Sequence, residues 1–349
     1  MQQLNGATVG ACLPYLPAPR DNTRVGRLVR GTLLVSARTS ALQIGALLAR
    51  NDDASMEIYA ASDVTGADFA IKIVERQYTI DGEEISEHFM YRIAGLGPSM
   101  EAKQRAFMLS NNLAYFPLPL LLDVLHLDGD HVGCVTTRFM CSLMDVWRAL
   151  GPKDYMLAAI NVLWAMQYLH EMGCVHNDLK NGNVCINGLG QIFLIDIGIM
   201  SRYNSLAMED DNTVDYAQWN GNRLSSRDLH RGARTVPRSD LEMMGYQLLE
   251  WLGGQLPWKR FGEVETPMQN RAMGELKQSY FGDNLCRTPD YPECVKGVDD
   301  LIASMQGFVC PLPIRFFLQY VFMIDYNATA AIIDYTYLRS LIGHCIRIL

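Results

Sequence analysis

His176-Asn177-Asp178-Leu179-Lys180-Asn181-Gly182-Asn183-Val184 is followed, after a short turn, by Phe193-Leu194-Ile195-Asp196-Ile197-Gly198. Apolar residues flank this polar stretch on both sides. Upstream, Leu163, Met166 and Leu169 recur at helical spacing. Downstream, Gln191 to Ile195 reads as a short buried strand. The plain alternative is a buried polar turn joining two strands. The helical spacing upstream speaks against it.

Working outward, the amino-terminal third reads as mostly β. Residues 1–30 hold turn-formers and scattered arginines and form a loose extension; residues 31–50 are apolar and broken by Gly31 and Gly45. Met56 to Asp63 and Phe69 to Ile73 are two β runs joined by a turn at Thr65-Gly66, which predicts a hairpin. Lys72 lies within the second run. A lysine in an apolar strand needs an acidic partner. Glu87, on a helix over Ile85 to Tyr91, is chosen for that place, with Glu83 and Glu84 as alternatives. Further along, Met243, Tyr246, Leu249 and Trp251 lie near helical spacing; Gly253-Gly254 ends that helix and Pro257 prevents its restart.

Together these stretches resemble a eukaryotic-type protein kinase. His176 to Asn183 and Asp196 to Gly198 follow its H-x-D-L-x-x-x-N and D-x-G signatures, and Ala70-Ile71-Lys72 resembles its lysine-bearing strand. Arg238-Ser239-Asp240-Leu241-Glu242-Met243-Met244-Gly245-Tyr246-Gln247-Leu248-Leu249-Glu250-Trp251-Leu252-Gly253-Gly254-Gln255-Leu256-Pro257-Trp258 closely resembles a segment of the vaccinia-related kinases, a casein-kinase-like branch. Ser226 to Gly232 is similar to that branch's counterpart of the usual A-P-E triplet, and Tyr320 to Leu349 resembles its closing helices more loosely. The resemblance covers about residues 56 to 349.

The resemblance implies an α+β, bilobal fold. After the extension (1–30), a small β-rich lobe spans 31–137 and a larger, mainly helical lobe 138–349. It implies ATP and Mg²⁺ as cofactors, with Lys72 on the α- and β-phosphates and Glu87 as its partner. Thr137 and Phe139 belong to a hinge, around Thr137 to Met140, against which the nucleotide lies. Asn183 and Asp196 hold the metal, Asp178 takes the proton of the attacking hydroxyl, and Lys180 neutralises charge on the moving phosphoryl group. Asp240 is expected to accept N–H bonds from the backbone around His176.

Three departures from the general pattern matter. Aligned on the Ile58-Tyr59 strand, Asn51, Asp53 and Met56 stand where the glycines of G-x-G-x-x-G let the backbone approach phosphate. Asp52 and Asp53 put carboxylates near a polyanion. Asn177 replaces the arginine that commonly receives an activation-loop phosphate, and Ile197 replaces the aromatic of D-F-G.

Composition bounds the rest. Hydrophobic residues make up 49% of 349 and charged residues 19%, enough for a large core and too little charge for disorder. No apolar run is long enough to span a membrane and no signal pattern opens the chain. The nine cysteines show no C-x-x-C pair, the pattern of reduced thiols in cytoplasm or nucleus. A net charge of −8 without a basic tract argues against nucleic acid as the main partner. The expected function is transfer of phosphate from ATP to serine or threonine of a protein substrate. A pseudokinase scaffold that binds partners, and a small-molecule phosphotransferase of the aminoglycoside or choline kinase type, are the alternatives.

Overall fold

The computed structural model describes residues 28, 30–35, 41–51, 55–76, 86–127, 130–203, 222–261, 266–281 and 291–349. Its first part is an antiparallel sheet built from β1 (Leu33–Leu34), β2 (Leu42–Arg50), β3 (Met56–Ser62), β4 (Asp68–Glu75), β5 (Asp123–His126) and β6 (His131–Thr137). The spatial order is β1-β2-β3-β4-β6-β5. The stretch 31–50, read from sequence as apolar and broken by glycines, thus forms β1 and β2. The strand survives because Gly45 sits beside irregular register between Ile44 and Ala49; a Cβ there would meet the Ala60 carbonyl oxygen at 3.3 Å.

Register decides which side chains face which way. Lys72 pairs with Ile58 on one side and Cys134 on the other. Its neighbours Ile71 and Ile73 point to the opposite face, as the two-residue period requires. There they join Leu42, Ile44, Tyr59 and Val135 in a small core with Leu28 and Leu34 packed against it. Each such fully buried side chain is worth roughly 1.5–3 kcal/mol. The backbone N–H of Leu28 also donates to the Tyr59 hydroxyl at 3.1 Å.

Two helices, α1 (Glu87–Ile93) and α2 (Glu101–Ser110), lie between β4 and β5. The larger part follows β6 and is mainly helical: α3 (Leu143–Val146), α4 (Pro152–Glu171), α5 (Arg227–His230), α6 (Pro237–Trp251), α7 (Pro267–Phe281), α8 (Tyr291–Ser304), α9 (Leu312–Met323) and α10 (Tyr335–Ile348). Short strands β7 (Cys141–Ser142), β8 (Cys174–Val175), β9 (Val184–Ile186), β10 (Ile192–Leu194) and β11 (Ser201–Arg202) frame its loops. Proline opens both long central helices, α4 and α6, where its missing N–H costs nothing. Gly245 lets α9 press against α6: a Cβ there would stand 2.7 Å from a Leu318 methyl. After α6, Gly253 takes φ +92 and ends the helix where the sequence predicts.

Candidate active site

Lys72 projects from the middle of β4, away from the small core. Its Nζ lies 2.7 Å from Glu87 Oε2 and 2.6 Å from Asp196 Oδ1. Glu87 comes from the first turn of α1, Asp196 from the loop after β10. Glu83 and Glu84, the alternative partners, and Asp52 and Asp53 lie outside the described residues. Burial alone would lower the Lys72 pKa; the two carboxylates overcome it and hold the ammonium above its ordinary value. For Asp196, burial works to raise the pKa, but Lys72, with Lys180 and His176 behind it, holds it below the usual range. Burial pushes Glu87 upward, with Lys72 opposing. Gly198 fits between these groups because it has no side chain: a Cβ would stand 3.3 Å from both Asp196 Oδ1 and Glu87 Oε2. Ile197, in the place of the D-F-G aromatic, is fully buried in the main core.

The second cluster is the loop between β8 and β9. Asp178 Oδ2 is 2.6 Å from Lys180 Nζ and accepts from Asn183 Nδ2 at 2.8 Å. Asn183 Nδ2 also donates to the Asp178 carbonyl at 2.8 Å. The inward use of that NH₂ leaves Asn183 Oδ1 without a hydrogen-bond partner among the described residues, as is Asp196 Oδ2. Two hard oxygen donors of this kind suit Mg²⁺, which is commonly held by one or two carboxylates plus water and phosphate oxygens. The residues therefore fit the ion. No cluster of three His, Cys, Asp or Glu side chains able to hold a metal occurs among the described residues.

The loop is held from below by Asp240, at the start of α6 and wholly buried. Its Oδ2 accepts from the His176 N–H at 2.7 Å and from His170 Nε2 at 2.8 Å, and its Oδ1 accepts from the Asn177 N–H at 2.8 Å. Burial would raise its pKa, but the bond and charge of His170, with His176 behind them, hold it below the ordinary carboxylate value. His170 reaches the Tyr335 hydroxyl of α10 through its other ring nitrogen. Asn177 adopts φ +70, a left-handed conformation that costs a side-chain-bearing residue about 1–3 kcal/mol. Its Nδ2 offsets that by donating to the Ile199 carbonyl and Ser201 Oγ, each at 3.0 Å.

Thr137 ends β6 opposite Phe69, further along the strand that pairs Cys134 with Lys72. The Phe139 ring packs 4.7 Å from Phe193, centroid to centroid, and the Met140 N–H donates to the Ile186 carbonyl at 2.8 Å. Residues 137–140 thus bridge the sheet and the helical part. The turn between β2 and β3 is closed by Asn51: its Oδ1 accepts from the Met56 N–H at 2.9 Å and its Nδ2 donates to Ser55 Oγ at 2.7 Å. The Met56 N–H is therefore spent inside the turn.

Several site neighbours escape sequence reading. Asn222 Nδ2 donates to Asp178 Oδ1 at 3.3 Å, and Arg223 pairs with Glu250 at 2.8 Å. Buried Arg227 pairs with Glu242 at 3.1 Å, and Arg238 with Asp228 at 3.1 Å. The only signal was the resemblance of Ser226–Gly232 and Arg238–Trp258 to one kinase branch, which names segments but not pairs. A cavity of about 570 Å³ opens beside the loop, lined in part by Met144, Trp147, Asn181, Arg223, Glu250 and Trp251.

Comparison with known proteins follows the same lines. The protein kinase domain matches residues 130–305, half of the chain. Nucleosomal histone kinase 1 of Drosophila melanogaster is 29% identical over 302 residues, covering 81% of this chain and 45% of the fly protein. A vaccinia virus (strain Western Reserve) protein named pseudokinase OPG198 is 27% identical over 206 residues, covering 57% of this chain and 63% of its own. The chain thus spans less than two thirds of either relative. The solved structure of vaccinia related kinase 3 superposes with a TM-score of 0.70 at 19% identity, over 94% of this chain and 95% of the other, and so shares the fold. With a lysine–glutamate–aspartate triad above an H-x-D-L-x-x-x-N loop, and a match over half its length, this chain belongs to the protein kinase domain family.

Proposed function

We propose that the chain is a serine/threonine protein kinase, using ATP and Mg²⁺, of the vaccinia-related kind. The observation that carries this reading is the meeting of Lys72, Glu87 and Asp196 at 2.6–2.7 Å, beside an Asp178–Lys180–Asn183 cluster with spare oxygen donors. Phosphoryl transfer needs little covalent chemistry from the protein; it needs positioning and charge stabilisation. Lys72, held by Glu87, binds the α- and β-phosphates. Asn183 and Asp196 hold Mg²⁺, which when bound neutralises charge on the phosphates. The backbone of Thr137 and Phe139 meets the adenine. Asp178 orients the acceptor hydroxyl and takes its proton, and Lys180 faces the phosphoryl group in flight. Lysine two residues after the aspartate favours serine or threonine over tyrosine. The cavity lined by Trp147, Asn181 and Trp251 offers a place for the protein substrate.

The division into an extension (1–30), a small lobe (31–137) and a large lobe (138–349) belongs to this reading. So does an intracellular place, cytoplasm or nucleus, supported by a relative whose name refers to nucleosomal histone; no described helix is long and apolar enough to cross a membrane. A scaffold of the same fold with little or no transfer is the second reading. The Asn51 turn favours it, since it presents a side chain where glycines would present N–H groups, and one relative is named a pseudokinase. Titration with ATP, with and without Mg²⁺, paired with transfer of labelled phosphate to histone or casein, separates the two. The kinase reading expects Mg²⁺-dependent binding and labelled serine or threonine. Binding without transfer, or no nucleotide binding by folded protein, favours the scaffold.

A further inference from the structure

Lys277 on α7 is wholly buried, an unusual place for a lysine. Its Nζ donates to the carbonyls of Arg223 at 2.9 Å and Ser225 at 2.5 Å, and lies 2.9 Å from His230 Nε2. His230 Nδ1 donates to Asn270 Oδ1 at 2.7 Å, so Nε2 is left as an acceptor. The rings of Tyr246 and Trp258 each stand 4.9 Å from Nζ and wall it in. Burial pushes the Lys277 pKa well below the ordinary lysine value; three polar partners and two aromatic faces surround the amine. The approach is built into the helix as well: Gly274, one turn before Lys277, has no room for a Cβ, which would meet His230 Cβ at 2.7 Å.

What Lys277 grips is the backbone next to the candidate site. Asn222, whose Nδ2 touches Asp178, is oriented by the Leu224 N–H donating to its Oδ1 at 2.7 Å. The Ser225 N–H donates to the Asn222 carbonyl at 3.0 Å. Trp258 Nε1 shares the Arg223 carbonyl at 2.7 Å. We propose that Lys277 is a positioning residue: it clamps residues 223–230 from α7 so that Asn222 stands against Asp178 and the acceptor hydroxyl has a fixed floor. Its consequence for transfer rests on the kinase reading; the clamp itself does not.

Lys277→Met keeps the apolar stem and removes the donors. Hydrogen–deuterium exchange of the full chain should show amides of 222–232 exchanging roughly tenfold to a hundredfold faster, with α4 and α6 unchanged. In the transfer assay the KM for protein substrate should rise and kcat fall, while the KM for ATP stays at the wild-type value. Unchanged exchange in 222–232, or acceleration spread equally over α4 and α6, overturns the clamp. Faster exchange with unaltered transfer overturns its link to Asp178. A wild type that transfers no phosphate sinks the kinase reading instead, and exchange alone then decides the clamp. Should the methionine variant not fold, His230→Leu removes one acceptor and should accelerate the same segment by less; no acceleration there overturns the proposal.

Discussion

At the scale of the residue, the candidate site is a problem of charge. Lys72 has two carboxylates within 2.7 Å, each with one oxygen off the lysine, and Asp196, 34% exposed against 5% for Glu87, is the one an ion can reach. Asp196→Ala should therefore abolish the Mg²⁺-dependent part of the thermal shift produced by ATP and leave the Mg²⁺-independent part largely intact. An equal Mg²⁺-dependent shift in variant and wild type would remove Asp196 from its assigned place. These residues were legible in the sequence because each rests on a local signature: Asp178 to Asn183 within one loop, Asp196 beside Gly198, Lys72 inside an apolar strand. Asn222 and Lys277 were not. Their partners lie 44 and 54 positions away in the chain, and nothing in the spacing of a single asparagine or lysine names a contact at that range.

At the scale of the element, helix α6 holds the catalytic-loop backbone, and the β2–β3 turn bears on the proposed binding of phosphate. Asp240 was expected to accept N–H bonds from the backbone near His176, and it accepts two, from His176 and Asn177. Its folded pKa is depressed, so the stability it contributes is fully present above the unfolded value near pH ~4 and is lost as pH falls through the lower folded value. Asp240→Asn should cost about 1–3 kcal/mol at neutral pH, since one accepting oxygen is replaced by a donor facing a donor. Melting curves should show the loss shrinking below pH ~4; a constant difference across pH would mean that Asp240 is not held charged. The turn was read as lacking its glycines, and the described ends agree, with the Asn51 side chain taking the Met56 N–H. The charge of Asp52 and Asp53 remains an argument from sequence. Asp52→Gly with Asp53→Gly should tighten ATP roughly 5–30-fold and adenosine far less, since only ATP carries the phosphates. Calorimetry on both ligands checks this, and equal effects would show that the turn does not sense phosphate. Strand β2 was harder to read: Gly45 suggested a break, whereas the sheet tolerates it as an irregularity paired through β3.

At the scale of the whole molecule, a sheet that carries Lys72 and a helical body that carries Asp178 meet through residues 137–140. The fold class was legible because the signature loop and the Arg238–Trp258 segment resemble a protein kinase, and the hairpin spacing of 56–73 and the helical spacing of 163–169 and 243–251 agree with that resemblance. The buried pairs Arg227–Glu242 and Arg238–Asp228 are invisible to such periodicity, because they join segments brought together only when the helical body is packed. The central claim is that this assembled site transfers phosphate. The most direct measurement compares wild type with Asp178→Asn for phosphate transfer to protein serine or threonine, with ATP·Mg²⁺ binding measured on the same preparations. Asp178 faces Lys180 and Asn183 and is not among the groups assigned to the nucleotide. The account predicts transfer by the wild type, a fall of roughly 10²–10⁴-fold in the variant, and equal nucleotide affinity in both. Transfer by the variant at the wild-type rate, or none by a wild type that binds ATP·Mg²⁺, would contradict it.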